Sequence, residues 1–336
     1  MSPVCASAPG KLFLLGEYAV LEGYSALLTA VRQRANVQIR YADVNNTPTQ
    51  AGVLMKTGPD PMLVSLEKTP LLESALECFT AQGLWHPGME RDRQFLLDTE
   101  AFYRQGNKLG LGSSAALTVA LVMAMLGDRE VSDRCTLTRE EALDLCLGVH
   151  RHFQGGIGSG ADVVTSWHGG QIEWKQGEFP TGLKLPDTIK WLFVWTGVPA
   201  GTMDYVKGLF EWRDGHKTAY NQHLEHLGQI SEAGCIACRD NDGNQLLNLL
   251  EEYNACLKRL SDVSGTRFYS DVHQEISAKA SEAGLVYKPS GAGGGDFGLI
   301  AGIDESKIND LAGNLGKNGY LTQLTEFSDR GFELQG

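Results

Sequence analysis

A glycine- and serine-rich segment that leads into an unbroken apolar run limits most strongly how this chain can fold. Residues 110–116 read GLGSSAA, and the eight residues that follow contain no glycine, proline or charged residue. Glycine tolerates positive φ, and a helix that begins there presents unpaired N–H groups and the positive end of its dipole. The pattern predicts a phosphate-binding loop at a helix start. A capped core helix after a tight turn is the alternative.

The length and net charge of the chain limit which functions it can have. The chain has 336 residues and a net charge of −12, from 29 basic and 41 acidic residues, which disfavours broad binding to nucleic acid or anionic membranes. No run of 18 apolar residues and no secretory signal is present. The seven cysteines are scattered, and the C-x-x-C of Cys235 and Cys238 lacks a zinc-spaced partner pair. These features favour free thiols and a cytoplasmic protein.

Periodicity and turn residues predict a mixed α and β chain. Thr138 and Glu141 form a capping box for a helix that runs to about Phe153 and ends at Gly155. Further helices are expected at about 63–82, 216–239, 243–261, 268–283 and 305–315, and strands at about 35–42, 95–99, 171–174, 191–196, 285–287, 297–301 and 320–325. Helices that alternate with returning strands indicate an α+β layered fold.

Two other glycine-containing motifs flank the central loop. Residues 8–23 read APGKLFLLGEYAVLEG, where Lys11 follows a Pro-Gly pair, and residues 288–298 read KPSGAGGGDFG. Glycines cost backbone entropy, so the second run is expected where backbone touches a ligand, with a bulged hairpin as the alternative. Neither a Walker-type loop nor a dinucleotide-binding fingerprint occurs in the sequence.

In this order and spacing, the three motifs resemble those of the GHMP kinase superfamily. The resemblance implies an α+β, two-lobed GHMP kinase fold. Residues 1–182 would form a ribosomal-protein-like α/β domain that carries the ATP phosphate loop. Residues 183–336 would form a ferredoxin-like α+β domain that carries a glycine-rich loop at 290–298. The resemblance also implies ATP and Mg²⁺ as cofactors.

Within the superfamily, the details are most similar to the phosphomevalonate kinases. Tyr18 follows Gly-Glu at a position where mevalonate kinases usually carry histidine. Lys108 precedes the phosphate loop, as a lysine does in phosphomevalonate kinases, and residues 150–163 resemble a sequence motif of the phosphomevalonate kinases. Arg151 stands eleven residues before Asp162, where mevalonate kinases place a Mg²⁺-binding glutamate. An arginine cannot bind a cation, but it can bind a phosphate with two hydrogen bonds.

The resemblance implies roles for specific residues, which are expectations at this point. The catalytic residues would be Lys11 and Asp162, and Ser114 would hold the metal. The residues expected to bind ATP are Lys108, Gly110, Leu111, Gly112, Ser113, Ser114 and Ala115. The residues expected to bind the substrate are Lys11, Glu17, Tyr18, His150, Arg151, Gln154, Ser159, Thr202, Lys288, Ser290, Gly291, Ala292 and Gly293.

Local alternatives remain for several of these residues. Asp162 is either a base or the cap of a following helix, His150 and Gln154 contact substrate or merely pack, and each lysine is either a ligand or a solvated charge. The expected partner is a small phosphorylated molecule, without nucleic acid or membrane, and the expected assembly is a monomer or a homodimer. The expected reaction is ATP-dependent phosphoryl transfer to mevalonate 5-phosphate. Mevalonate kinase, the decarboxylase of the same superfamily and a catalytically inactive sensor are the alternatives.

Overall fold

The computed structural model describes residues 2–41, 52–133, 135–322 and 326–335. The strands are β1 (Val4–Leu15), β2 (Ala26–Tyr41), β3 (Gly52–Lys56), β4 (Met62–Val64), β5 (Arg93–Asp98), β6 (Tyr103–Arg104), β7 (Asn107–Lys108), β8 (Gln171–Trp174), β9 (Thr181–Leu183), β10 (Lys190–Trp195), β11 (Val286–Ser290), β12 (Phe297–Gly302), β13 (Leu321–Thr322) and β14 (Glu333–Gln335). The helices are α1 (Pro70–Ala81), α2 (Ser113–Leu126), α3 (Arg129–Ser132), α4 (Arg139–Phe153), α5 (Ala161–His168), α6 (Thr202–Gly215), α7 (Lys217–Arg239), α8 (Gly243–Ser264), α9 (Asp271–Glu282) and α10 (Glu305–Lys317).

The first sheet is organised around the long antiparallel pair of β1 and β2. Its order is β14-β1-β2-β5-β3-β4, and β8 and β9 extend from the first half of β2. The β1–β2 register shifts between Pro9 and Gly10 and again between Phe13 and Leu15. Such irregularities bend a strand and change the direction of its side chains. Helices α2 and α5 both pack on β1, so the phosphate loop and Lys11 lie on neighbouring elements.

The second sheet has the order β11-β12-β10-β13 and is antiparallel throughout. Helix α9 packs on β11 and helix α10 on β10. A separate core lies between this sheet and those helices and includes Val194, Ile276 and Ile300. Helices α7 and α8 pack against each other and contact strands of both sheets, so the main hydrophobic core runs through both lobes.

The α+β prediction is confirmed, and most predicted helices form within a few residues of their expected ends. The capping box of Thr138 and Glu141 is present with both of its hydrogen bonds. The predicted helix at 63–82 is wrong at its start, because residues 62–64 form β4 and Pro70 occupies the first turn of α1, a position that suits proline. Helix α6 and strand β14 were not predicted. Residues 42 and 323–325, at the ends of two predicted strands, lie outside the described residues.

The division between the lobes at residues 182 and 183 falls inside β9, which pairs with β8 in the first sheet. The chain also returns to that sheet at its C-terminal end, where β14 pairs with β1. A lobe boundary at 182/183 therefore stays a prediction, and residues near 333–335 extend the first sheet.

All seven cysteines are free, and Cys235 and Cys238 are buried on α7. The free cysteines match the expectation of unpaired thiols. Across the ranges that the structure describes, no helix is both long enough and apolar enough to cross a bilayer.

Candidate active site

One cavity of about 360 Å³ lies where the three glycine-containing motifs meet. Its polar lining comes from β1, the phosphate loop, the start of α5 and the C-terminal glycine loop. The lining residues are Lys11, Phe13, Glu17, Tyr18, Val20, Leu21, Lys108, Gly110, Gly112, Ser114, Gln154, Ile157, Gly158, Ser159, Asp162, Pro199, Ala200, Gly201, Val206, Ser290, Gly291, Ala292 and Asp296. Segments that are far apart in sequence thus share one concave surface.

Lys11 is positioned by close backbone contact between β1 and the phosphate loop. Its N–H group donates to the carbonyl oxygen of Leu111 at 2.9 Å. A Cβ atom added to Gly10 would lie 2.6 Å from that same oxygen, so a larger residue would separate the two segments. The side chain of Lys11 then runs beside Gly112, where an added Cβ would lie 3.1 Å from its Cε atom. The lysine is therefore held against the loop that precedes α2.

The phosphate loop has the conformation that its glycines predict. Gly110 and Gly112 have φ values of +78° and +77°, and Gly112 is the N-cap of α2. Leu111, Ser113 and Ala115 are buried, whereas Ser114 lines the cavity. The first N–H groups of a helix lack partners within the helix. The loop can therefore offer backbone donors and the Ser114 hydroxyl to an anion at the positive end of α2.

His150 lies behind the loop and does not line the cavity. It is 2% exposed, and its Nε2 atom is 3.4 Å from Oγ of Ser114. The expected direct contact of His150 with substrate therefore needs correction, because the imidazole faces the serine hydroxyl and is buried on α4. Gln154, one turn further along, does line the cavity.

Asp162 lies in the first turn of α5, after the left-handed Gly160. Its Oδ1 atom accepts a hydrogen bond from the N–H group of Val163 at 3.0 Å. Ser159 accepts a hydrogen bond from the N–H group of Ala161 at 3.2 Å and also lines the cavity. Gly160 is the N-cap of α5, so the alternative that Asp162 caps this helix is wrong. Lys11, Ser114 and Asp162 all line this one cavity.

Glu17 and Lys288 form a buried ion pair beneath the cavity. The ammonium group of Lys288 donates to Oε1 of Glu17, which also accepts from the N–H group of Gly291 at 3.3 Å. The other carboxylate oxygen of Glu17 is buried and has no hydrogen-bond partner among the described residues. Burial lowers the pKa of Lys288, and the charge of Glu17 opposes that change. Glu17 lines the cavity, but Lys288 does not.

Tyr18 and Ser290 join the first motif to the last. Tyr18 has a φ of +64°, which is uncommon for a bulky residue, and its hydroxyl donates to the carbonyl oxygen of Ala292 at 2.5 Å. Ser290 donates to the carbonyl oxygen of Phe13 at 2.8 Å. Burial raises the pKa of Tyr18 well above its ordinary value, so the phenol stays neutral. These contacts fix the backbone at Gly291, which lines the cavity.

The glycine run at 293–295 packs against protein, which corrects the expectation that it touches a ligand. An added Cβ would lie 2.4 Å from the Phe268 carbonyl oxygen at Gly293, 2.1 Å from the Tyr205 hydroxyl at Gly294, and 2.2 Å from the Val198 carbonyl oxygen at Gly295. All three glycines are buried. Neighbouring segments approach these three positions so closely that a larger residue would not fit. Gly293 does not line the cavity.

Two other expected substrate residues are placed differently from the expectation, and a third is not tested. Arg151 is exposed and does not line the cavity, and Lys288 is fully buried in its pair with Glu17. Neither side chain lines the cavity, because one faces solvent and the other is enclosed. Thr202 begins α6, but its side chain lies outside the described part of the chain.

Asp296 is a cavity residue that the sequence interpretation missed. It follows the glycine run with a φ of +55° and lines the cavity with Lys11 and Lys108. Burial raises its pKa, and a hydrogen bond from the Ala200 N–H group and the charges of the two lysines oppose that rise. The sequence signal that could have identified Asp296 is an acidic residue directly after the three glycines at 293–295. The apolar lining of Phe13, Val206 and their neighbours had no comparable signal.

Comparison with known proteins shows what the chain is similar to. Residues 104–170, which include the phosphate loop and Asp162, match the family "GHMP kinases N terminal domain". A phosphomevalonate kinase of Streptomyces sp. (strain CL190) is 27% identical, over 90% of this chain and 91% of that protein. A mevalonate kinase of Pyrococcus horikoshii is 25% identical, over 99% and 98%. Streptococcus pneumoniae phosphomevalonate kinase, solved with phosphomevalonate and AMPPNP, has a TM-score of 0.77 at 19% identity, covering 97% of this chain and 100% of that one. The last comparison shows that the two-lobed GHMP kinase fold is shared.

Proposed function

We propose that this chain, a GHMP kinase by its N-terminal domain family and its fold, transfers the terminal phosphoryl group of ATP to mevalonate 5-phosphate. The products would be mevalonate 5-diphosphate and ADP. The observation that carries the proposal is the single cavity that Lys11, Ser114 and Asp162 line together with the C-terminal glycine loop. Relatives named phosphomevalonate kinase in Streptomyces and Saccharolobus solfataricus support the choice of acceptor.

The ATP phosphates would bind at the start of α2. Backbone N–H groups there favour negative charge by about 0.3–1 kcal/mol per interaction, which is small beside the charge of a triphosphate. Further positive charge is needed, and Lys11 and Lys108 line the same cavity. Phosphoryl transfer depends mainly on positioning and charge neutralisation, so these lysines are suited to that work.

A magnesium ion fits the donor atoms of this cavity. The Ser114 hydroxyl and the carboxylates that line the cavity are oxygen donors, and Mg²⁺ typically uses one or two carboxylates together with substrate phosphates. No group of three or more potential histidine, cysteine or acidic ligands occurs in the described ranges, as expected for a metal held largely by nucleotide. Bound with ATP, the ion would neutralise charge on the phosphates.

The acceptor would be a phosphate oxygen. The second pKa of a phosphate monoester is about 6, so the nucleophile is largely ionised at neutral pH. That oxygen attacks the γ-phosphorus, and the bond from that phosphorus to the β,γ-bridging oxygen breaks as ADP leaves. No proton has to be removed from the nucleophile. Asp162 would then act chiefly by orienting Lys11, which would bridge the acceptor and the transferred group.

Mevalonate itself is the second candidate acceptor. The relative from Pyrococcus horikoshii is named a mevalonate kinase and aligns over nearly the whole chain. A hydroxyl nucleophile has to lose a proton, so Asp162 would serve as a base in that reaction. Tyr18, which lines the cavity, differs from the mevalonate kinase pattern and favours the phosphorylated acceptor. Arg151 differs from that pattern as well, but it is exposed and does not line the cavity.

A panel of acceptors tests the proposal. Mevalonate, mevalonate 5-phosphate, homoserine and galactose would each be incubated with MgATP, and ADP release would be followed in a coupled assay. We expect the highest kcat/KM with mevalonate 5-phosphate. Faster turnover of mevalonate would favour the second candidate, and CO₂ release would indicate the related decarboxylase. Nucleotide binding without turnover of any acceptor would indicate a sensor.

A further inference from the structure

The carboxylate of Asp296 is held in a fixed direction at the junction of the two lobes. Its N–H group donates to the carbonyl oxygen of Val198 at 2.7 Å, and its carbonyl oxygen accepts from the N–H group of Thr196 at 2.9 Å. Its Oδ1 atom accepts from the N–H group of Ala200 at 3.0 Å. Its left-handed backbone, which aspartate and asparagine tolerate better than most residues, is thus fixed by three contacts to one segment.

These contacts direct the carboxylate onto the phosphate loop. A Cβ atom added to Gly110 would lie 2.0 Å from Cγ and 2.2 Å from Oδ2 of Asp296. Because Oδ1 is bonded to Ala200, Oδ2 is the atom left to face a ligand. Gly110 begins the loop that we propose for the ATP phosphates, so a carboxylate oxygen borders the site of an anion.

Two neighbouring anions repel each other unless positive charge lies between them. Lys11 and Lys108 supply part of that charge in the cavity. In phosphoryl-transfer sites, Mg²⁺ is typically bound by one or two carboxylates together with oxygens of the substrate phosphates. The surroundings of Asp296 are thus suited to a cation that enters with the nucleotide.

The other acidic residues of the cavity have different surroundings. Glu17 is engaged by Lys288 and Gly291, and Asp162 lies on α5 with Lys11 as its proposed partner. The position that carries a metal-binding glutamate in mevalonate kinases is Arg151, which is exposed. Asp296 is left as the carboxylate that borders the phosphate loop.

We propose that Oδ2 of Asp296 is a ligand of the divalent cation that accompanies the nucleotide phosphates, with Ser114 available as a second protein donor. The proposal rests on the proposed function, because it needs a nucleotide at the phosphate loop. It assigns a metal-binding role to the C-terminal lobe, so cation binding would link the two glycine loops.

The test measures metal binding directly. Mn²⁺, which prefers similar oxygen ligands, would be titrated into the protein with the non-hydrolysable analogue AMPPNP, and free Mn²⁺ would be followed by electron paramagnetic resonance. The variant Asp296→Asn keeps an acceptor for Ala200 and a side chain that tolerates the left-handed backbone. Asp204→Asn is the matched control, because Asp204 is exposed on the nearby α6 and does not line the cavity. Calorimetry with EDTA would give the affinity for metal-free AMPPNP.

We expect Asp296→Asn to weaken Mn²⁺–AMPPNP binding by about tenfold or more, as for other changes at metal sites. Metal-free AMPPNP should bind the variant as tightly as the wild type or more tightly, since an anion has been removed. Asp204→Asn should match the wild type in both experiments. If Asp296→Asn binds Mn²⁺–AMPPNP as well as the wild type or better, Asp296 is not a ligand. If the wild type binds no AMPPNP with or without metal, the proposed function fails as well.

Discussion

Lys288 and Glu17 form an ion pair that is almost completely removed from solvent, with side-chain exposures of 0% and 2%. The pair joins β11 to the segment after β1, and Gly291 of the C-terminal glycine loop donates to the same carboxylate oxygen. Lys288 also lies over the ring of Tyr253, with Nζ 5.6 Å from the ring centroid. The two lobes are therefore connected by charge directly beneath the cavity.

Removing one partner of this pair should destabilise the fold. Lys288→Met leaves the Glu17 carboxylate buried without its partner, and such changes typically cost about 3–5 kcal/mol. Urea unfolding at neutral pH would measure the loss. Lys279→Met, which removes a partly exposed pair with Glu275 one helical turn away, should cost less than about 0.5 kcal/mol. Equal losses in the two variants would contradict a special role for the buried pair.

The double variant Glu17→Gln with Lys288→Met separates charge from packing. It removes both charges, so we expect it to be more stable than Lys288→Met alone. The same unfolding experiment measures this difference. If the loss of stability in the double variant equals the sum of the losses in Glu17→Gln and in Lys288→Met, the two charges do not interact.

The small size of Gly110 is expected to matter for nucleotide binding. Gly110→Ala adds a left-handed alanine, at a cost of about 1–2 kcal/mol, and its Cβ would displace Asp296. Gly106→Ala is a matched control, because Gly106 has a similar φ of +79° and open space around the added atom. Calorimetry with MgAMPPNP should show a loss of affinity of about tenfold or more for Gly110→Ala. Equal affinities in the two variants would contradict the importance of the contact.

Local features of the sequence predicted much of the fold and where several site residues lie. The Thr138 capping box, the left-handed glycines of the phosphate loop and the start of α2 depend on neighbouring residues. Such features can be interpreted from a short segment, because side-chain caps and positive φ values have strong residue preferences. The catalytic roles of Lys11 and Asp162 remain predictions that the placement of these residues supports.

Contacts between distant segments could not be predicted in this way. Lys288 and Glu17 are 271 positions apart, and nothing near either residue indicates that they pair. The glycines at 293–295 are explained by Phe268, Tyr205 and Val198, which approach from three other segments. A glycine run looks the same in sequence whether a ligand or the protein itself comes close.

Asp162→Asn tests what the aspartate on α5 contributes. We expect kcat with mevalonate 5-phosphate to fall by at least about tenfold, because a neutral amide cannot balance the charge of Lys11 and so cannot hold its ammonium group in position. A loss below about tenfold would exclude a role as general base. Asp204→Asn should leave kcat unchanged, since that carboxylate does not line the cavity.

The buried imidazole of His273 is expected to make the stability depend on pH. Its Nδ1 atom lies 2.6 Å from the hydroxyl of Tyr287, and burial lowers its pKa from 6.5 to about 4. Between these values the unfolded chain binds a proton that the folded protein does not, so stability falls as the pH drops from 6.5 towards 4. The pKa difference corresponds to about 3 kcal/mol. We expect His273→Asn to lose correspondingly less stability over this range, as measured by urea unfolding at several pH values. The exposed His86, changed in the same way, should leave the wild-type pH dependence intact, and a similar flattening in both variants would show that burial of His273 is not the cause.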